Sequence, residues 1–200
     1  MNLTTLQYKT YVGVAFAAVI SSVPLAFILP VEVSFENGLI ENAQVIVLLI
    51  SAVLMLNTKS PMKWFRRFFA AGLILIAFRE LSWGRVFFPI AMEAFGPVFI
   101  DMADYEYRTL VYVFLAAYIS AMLFILIRFV PVKKILSSRQ PVAAFALMIM
   151  AALFSSIGDH GWLIGKAHGQ ILEEFNELIL YMTLPVVGLY YCRTGTKKIF

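Results

Sequence analysis

The chain predicts an all-α membrane protein: six transmembrane helices in one domain spanning residues 1–200, with both termini cytoplasmic. Two observations carry this expectation. Apolar residues make up 62% of the 200 residues and the mean hydropathy is +0.85, well above the roughly 45–50% apolar content of soluble domains. A water-facing surface could not cover so much apolar area, so the solvent must be lipid. The charges are also sorted. Lys9, then Lys59, Lys63, Arg66 and Arg67, then Arg128, Lys133, Lys134 and Arg139, then Arg193, Lys197 and Lys198 fall at alternate ends of six apolar stretches. All twelve acids fall at the opposite ends, with only Arg79, Arg85, Arg108 and Lys166 among them. Short loops keep Lys and Arg on the cytoplasmic side, which fixes the orientation.

The predicted spans are residues 11–30, 37–56, 68–84, 108–130, 141–158 and 171–191. At about 1.5 Å per residue the first matches the ~30 Å hydrocarbon core. It is too long for a signal peptide and has no clear small-residue cleavage site. Gly13, Ala17 and Ser21 recur every four residues, a pattern that lets another helix approach closely, and Pro24 predicts a kink. The third span carries Arg79 and Glu80 toward Trp83, which suits an interfacial aromatic belt. Residues 86–100 are apolar and aromatic but broken by Pro89, Gly96 and Pro97. Such a stretch is a poor spanning helix, because its freed backbone groups need partners in lipid. An interfacial or re-entrant segment is expected there. The sixth span contains Pro185.

Acids open each descending outer helix: Glu36 and Glu41, Asp104 and Glu106, then Glu173, Glu174 and Glu177. The positive end of a helix dipole is a sufficient cause, and an ancient repeat is the alternative. The net charge of +4 is split by topology, so it reports orientation and anionic lipid at the inner leaflet. The bilayer is the first expected partner, a homo-oligomer or membrane-complex partner the second, and nucleic acid is not expected. Cys192 is the only cysteine, so neither an internal disulfide nor a CxxC redox pair exists.

The polar residues at membrane depth form stripes. Steps of 100° place Asn37, Glu41, Gln44 and Ser51 in one sector of the second helix. Gln170, Glu174, Glu177 and Tyr181 share a sector of the sixth, while Ser155, Ser156, Asp159 and His160 cluster at the top of the fifth. Facing lipid, each would leave polar groups unpaired at a cost of several kcal/mol. The stripes should face one another and line a polar pocket in the outer half, formed by Glu41, Gln44, Arg79, Glu80, Asp159, His160, Glu174, Glu177 and Tyr181. Arg79 needs an anionic partner, and Glu41, Glu174 or Glu177 is expected, since the adjacent Glu80 points elsewhere.

His160, His168, Glu173 and Glu177 offer ligands for a divalent metal near the last outer hairpin. Two histidines on one loop are badly placed to clamp haem from opposite faces, and neither haem nor nucleotide is expected. Ser82, Ser155 and Ser156 lack a GxSxG context. Three patches together resemble a family of uncharacterised bacterial multi-pass membrane proteins: Glu36-x-Gly38-x-x-Glu41, the run from Arg79 to Arg85, and Glu173-Glu174-x-x-Glu177. In that family an acid often stands where Arg79 is, and glutamine where Arg85 is. The resemblance implies a bacterial inner-membrane location and a role for the outer-side acids, and it implies no activity.

Three functions follow. The first is binding or transport of a cation, a proton or a polar lipid head group in the acidic pocket. The second is a membrane enzyme acting on lipid at the outer leaflet, with residues 86–100 as a lid above Asp159, His160 and Glu177. The third is an accessory or assembly subunit using the Gly13, Ala17, Ser21 face.

Overall fold

The computed structural model describes residues 4–93, 96–161 and 164–194. Lys197 and Lys198, counted above as cytoplasmic charges, lie outside the described residues, as do positions 94 and 95 of the broken apolar segment. The described residues form seven α-helices: α1 (Thr5–Ile28), α2 (Leu39–Asn57), α3 (Lys63–Glu80), α4 (Arg108–Phe129), α5 (Val132–Leu136), α6 (Val142–His160) and α7 (Gly165–Thr194). Short 3-10 turns cover Val31–Ser34 and Ser82–Phe87. Five helical stretches are long and apolar enough to cross a membrane: Thr5–Ile28, Val31–Asn57, Arg108–Phe129, Val142–His160 and Gly165–Arg193. The third expected span is α3, whose 18 residues carry Lys63, Arg66, Arg67, Arg79 and Glu80, so its charge sets it apart from those five.

Each boundary has a local cause. Thr4 caps α1 by accepting from Gln7 N–H, while the Gln7 side chain accepts from Thr4 N–H, a reciprocal capping box. Pro24 sits inside α1 on its exposed side. Helix α3 stops at Glu80 because Ser82 and Trp83 adopt φ of 43° and 58°, followed by Gly84 at 93°. Left-handed backbone cannot continue a right-handed helix. Arg66 reaches back to the Leu56 and Thr58 carbonyls that α2 leaves open, satisfying its C-terminal end.

The segment after α3 is neither a spanning nor a re-entrant helix. Strands β1 (Pro89–Glu93) and β2 (Gly96–Phe99) pair antiparallel, with Met92 opposite Pro97 and Glu93 opposite Gly96. Proline cannot donate within a helix, and a hairpin satisfies the remaining backbone groups pairwise. Among the described residues this small hairpin is the only β structure in an otherwise α-helical fold. Arg85 closes its base by donating to the carbonyls of Ser82 (3.2 Å) and Ile100 (3.0 Å). A Cβ on Gly96, at φ +121°, would lie 3.1 Å from the Phe35 ring, so the hairpin leans on the turn that precedes α2.

Helix α7 packs against α6, α2, α1 and α3. Its approach to α6 depends on two glycines. A Cβ on Gly158 would lie 2.5 Å from the Gly169 carbonyl oxygen and 2.7 Å from the Glu173 nitrogen. One on Gly169 would lie 2.4 Å from the Gly158 carbonyl oxygen. Small residues let helix backbones approach this closely. Ala15, Val19, Leu147, Ala151 and Ile179 fill the space between α1, α6 and α7, and Leu48, Met55 and Leu73 fill that between α2, α3 and α7. Gly13, Ala17 and Ser21 take no part in this packing. They are exposed, and a Cβ on Gly13 would meet nothing within 4 Å. The buried edge of α1 is Ala15, Val19, Ser22 and Ala26.

The glycine geometry sets a contrast. Gly158→Ala or Gly169→Ala should destabilise the purified protein by about 1–3 kcal/mol through overpacking. Gly13→Ala should leave stability unchanged or raise it by up to about 1 kcal/mol through helix propensity. Denaturant unfolding in detergent measures both.

Candidate functional site

Between α2, α3 and α7 the sequence stripes do meet. Glu41, Gln44, Leu48 and Ser51 are buried along one edge of α2, as their spacing requires. Asn37, at φ 58°, turns the chain into this helix, and the Glu41 carboxylate accepts its N–H. Gln44 is fully buried and crosses to α7, where its Nε2 donates to the Glu174 carbonyl at 2.9 Å and to Glu174 Oε2 at 2.8 Å. Both amide hydrogens are used. Among the described residues Gln44 Oε1 has no hydrogen-bond partner.

About two turns further along α7, the Tyr181 hydroxyl joins α7 to the end of α3. It lies 2.9 Å from Glu80 Oε1, 3.3 Å from Glu177 Oε2 and 3.2 Å from Arg79 Nη1. Arg79 also pairs with Glu80 at 3.5 Å. This corrects the expected pairing, because Glu80 itself supplies the carboxylate. Its side chain is 7% exposed and that of Arg79 is 63% exposed. At the last turn of α3 the long arginine side chain bends over the neighbouring acid, and its charge also suits the negative end of the helix.

Glu177 is the common neighbour of the acids. It lies within electrostatic range of Glu41, Glu80, Glu173 and Glu174. Arg79 is in range of Glu80, Glu173 and Glu177. Among the described residues, four carboxyl groups thus lie around that of Glu177, and three of the five are in range of the Arg79 guanidinium.

The rest of the expected pocket is placed differently. Asp159 and His160 turn outward, with side chains 64% and 48% exposed and 3.7 Å apart. Helix α6 gives Ser155 and Gly158 to α7 instead, and steps of 100° then point the next two residues away. Asp159 still feels Glu173 electrostatically. His160 Nδ1 sits 2.8 Å from the Ser156 carbonyl, and His168 Nδ1 sits 2.9 Å from the Ala26 carbonyl at the end of α1. His168 therefore serves the open end of α1, with its ring against Phe27 at 5.0 Å. Among the described residues no three His, Cys, Asp or Glu side chains are arranged to hold a metal ion, so His160, His168, Glu173 and Glu177 do not form one ligand set. The helix dipole accounts for Glu41, which is in the first turn of α2, and not for the α7 acids. That helix begins at Gly165, so they lie beyond its first turn.

A second polar seam was not anticipated from the sequence. On the opposite side of α7, Asn176 donates to Ser22 Oγ at 2.9 Å and to the Leu172 carbonyl at 2.8 Å. Seven residues later Thr183 lies 3.0 Å from the Tyr11 hydroxyl. Asn176 and Thr183 are fully buried. A lone amide next to the acid stripe, between Glu174 and Glu177, was the available signal. Its partner on α1 is distant in sequence, so spacing alone could not pair them.

No family model, curated protein or solved structure matches the chain.

Tyr181→Phe should cost about 1–3 kcal/mol, because it strips partners from two partly desolvated carboxyl groups. Tyr11→Phe, which loses a single hydroxyl contact, should cost about 0.5–1.5 kcal/mol. Unfolding of both variants in detergent orders the two sites.

Proposed function

We propose that this is a bacterial inner-membrane protein of six spans, both termini cytoplasmic, whose outer-half acidic cluster binds and passes a cationic species. The observation that carries this reading is the surplus of acid: Glu41, Glu80, Glu173 and Glu174 each lie in range of Glu177, with the Arg79 guanidinium beside three of the five. Ionisable groups at membrane depth are costly and mark ion or proton pathways. The opposing charge would come from what the site binds.

Helix α3 serves as the sixth span in this reading. Its charges are confined to its ends, and residues 68–78 between them are uncharged, about 16 Å of helix. The terminal Lys and Arg side chains extend toward the two interfaces. The split of basic and acidic ends supports the cytoplasmic termini, and the resemblance of the three acidic patches supports the bacterial inner membrane.

A second reading has its own observation. Among the described residues none in α4 is buried, and α4 packs on α3 along one side. Helix α1 also leaves its Gly13, Ala17, Ser21 face uncovered. Both suit an assembly subunit that receives partner helices.

In proteoliposomes, Glu41→Gln with Glu177→Gln should reduce proton or sodium flux at least about tenfold, equivalent to ~1.4 kcal/mol of lost binding, while folded protein is retained. Wild-type flux in the folded double variant would sink the reading. For the assembly alternative, crosslinking from α4 in intact membranes should recover a neighbouring chain. Recovery of monomer alone counts against it.

A further inference from the structure

The hydrogen-bond inventory of the cluster does not close with every carboxyl ionised. A tyrosine hydroxyl has one hydrogen to give and two lone pairs to fill. At Tyr181 the hydrogen goes to Glu80 Oε1 at 2.9 Å, and one lone pair receives Arg79 Nη1 at 3.2 Å. Glu177 Oε2 lies 3.3 Å from the same hydroxyl, whose single hydrogen cannot serve both carboxyl groups fully. An ionised carboxylate has nothing to donate there, whereas a carboxylic acid does.

Gln44 makes the same demand from another helix. Its two amide hydrogens are committed to Glu174, and its Oε1, in a side chain with 0% exposure, lacks a donor. A buried acceptor left unmet costs about 1–3 kcal/mol. The titratable neighbours at hand are the carboxyl groups of Glu174, which it already touches, and of Glu41, one turn away on α2. Protonating either creates the missing donor inside the same cluster.

We infer that the cluster between α2, α3 and α7 is a proton-binding site, with one proton shared among Glu80, Glu177 and Tyr181 and a second beside Gln44. It deepens the proposed function, resting on the reading that these acids form the ligand site, and identifies the cationic species as the proton. The groups that face Glu177 are Glu41 from α2, Arg79 and Glu80 from α3, and Glu173, Glu174 and Tyr181 from α7 itself. Helix α6 contributes Asp159 on the Glu173 side, Glu36 stands beside Glu41, and on α1 Tyr11 is engaged with Thr183 instead. A proton requires no ligand cage, which suits a cluster in which no three described acids or histidines are set to hold a metal.

The test is infrared spectroscopy of the full-length protein in lipid nanodiscs at neutral pH, compared in water and deuterium oxide. The wild type should show protonated-carboxyl C=O absorption that shifts on deuteration. Glu177→Gln should remove one component of it, and Glu174→Gln or Glu41→Gln another, while Glu106→Gln in the exposed loop before α4 leaves it unchanged. If Glu177→Gln does not fold, Tyr181→Phe keeps the carboxyl and removes its acceptor, and the same component must move. Absence of the absorption in the wild type, or its persistence unmoved in the cluster variants, overturns the inference. Flux separates the two proposals. Cation flux without protonated carboxyls overturns only the inference, and protonated carboxyls without flux overturn only the transport reading.

Discussion

The structure depends on the requirement that polar groups buried between apolar helices satisfy one another, since hydrocarbon offers them nothing. Tyr181 is where this requirement concentrates. Its hydroxyl ties the end of α3 to the middle of α7 and collects a guanidinium and two carboxyl groups at one oxygen. About two turns away along α7, at Glu174, Gln44 of α2 performs the same task between α2 and α7. These two points hold three helices in register and gather the acids around Glu177.

Helix α7 can carry this because it is polar on two opposite edges. Glu174, Glu177 and Tyr181 serve α2 and α3, while Asn176 and Thr183, about half a turn round, serve α1. A helix lined with polar atoms on both sides is not stable alone in lipid, so its neighbours must arrive on both sides. The third neighbour, α6, meets it through backbone contact at Gly158 and Gly169 rather than through polar side chains. That contact brings Gly158 against the Glu173 backbone and so sets the depth of the acids in the bundle. The small residues of α6 therefore belong to the support of the site, even though Asp159 and His160 at its end face outward.

Much of this was legible in the residue order. The α2 stripe of Glu41, Gln44 and Ser51 is buried as its spacing requires, and so is Tyr181. Helix positions obey a fixed 100° step, so a face can be read without knowing its partner. The same rule could not decide which way α6 turned. Ser155 and Asp159 differ by only about 40° on that helix, and the choice between them was made by the two glycines. The pairing of Arg79 also lay beyond the spacing rule. Helical spacing describes where Cβ atoms point, whereas an arginine at a helix end has enough length to fold back over its neighbour. Proline and glycine announced that residues 86–100 would not form a spanning helix, but not that the chain would pair with itself there.

Composition, charge order and helical period determined by themselves that the chain builds apolar helices with acids at one set of ends and bases at the other, because each is a property of the residue list. Tertiary structure alone decided which acids share a space, which hydroxyl they surround and which glycines permit the approach. Those outcomes depend on distances between residues remote in sequence, and no local pattern encodes them.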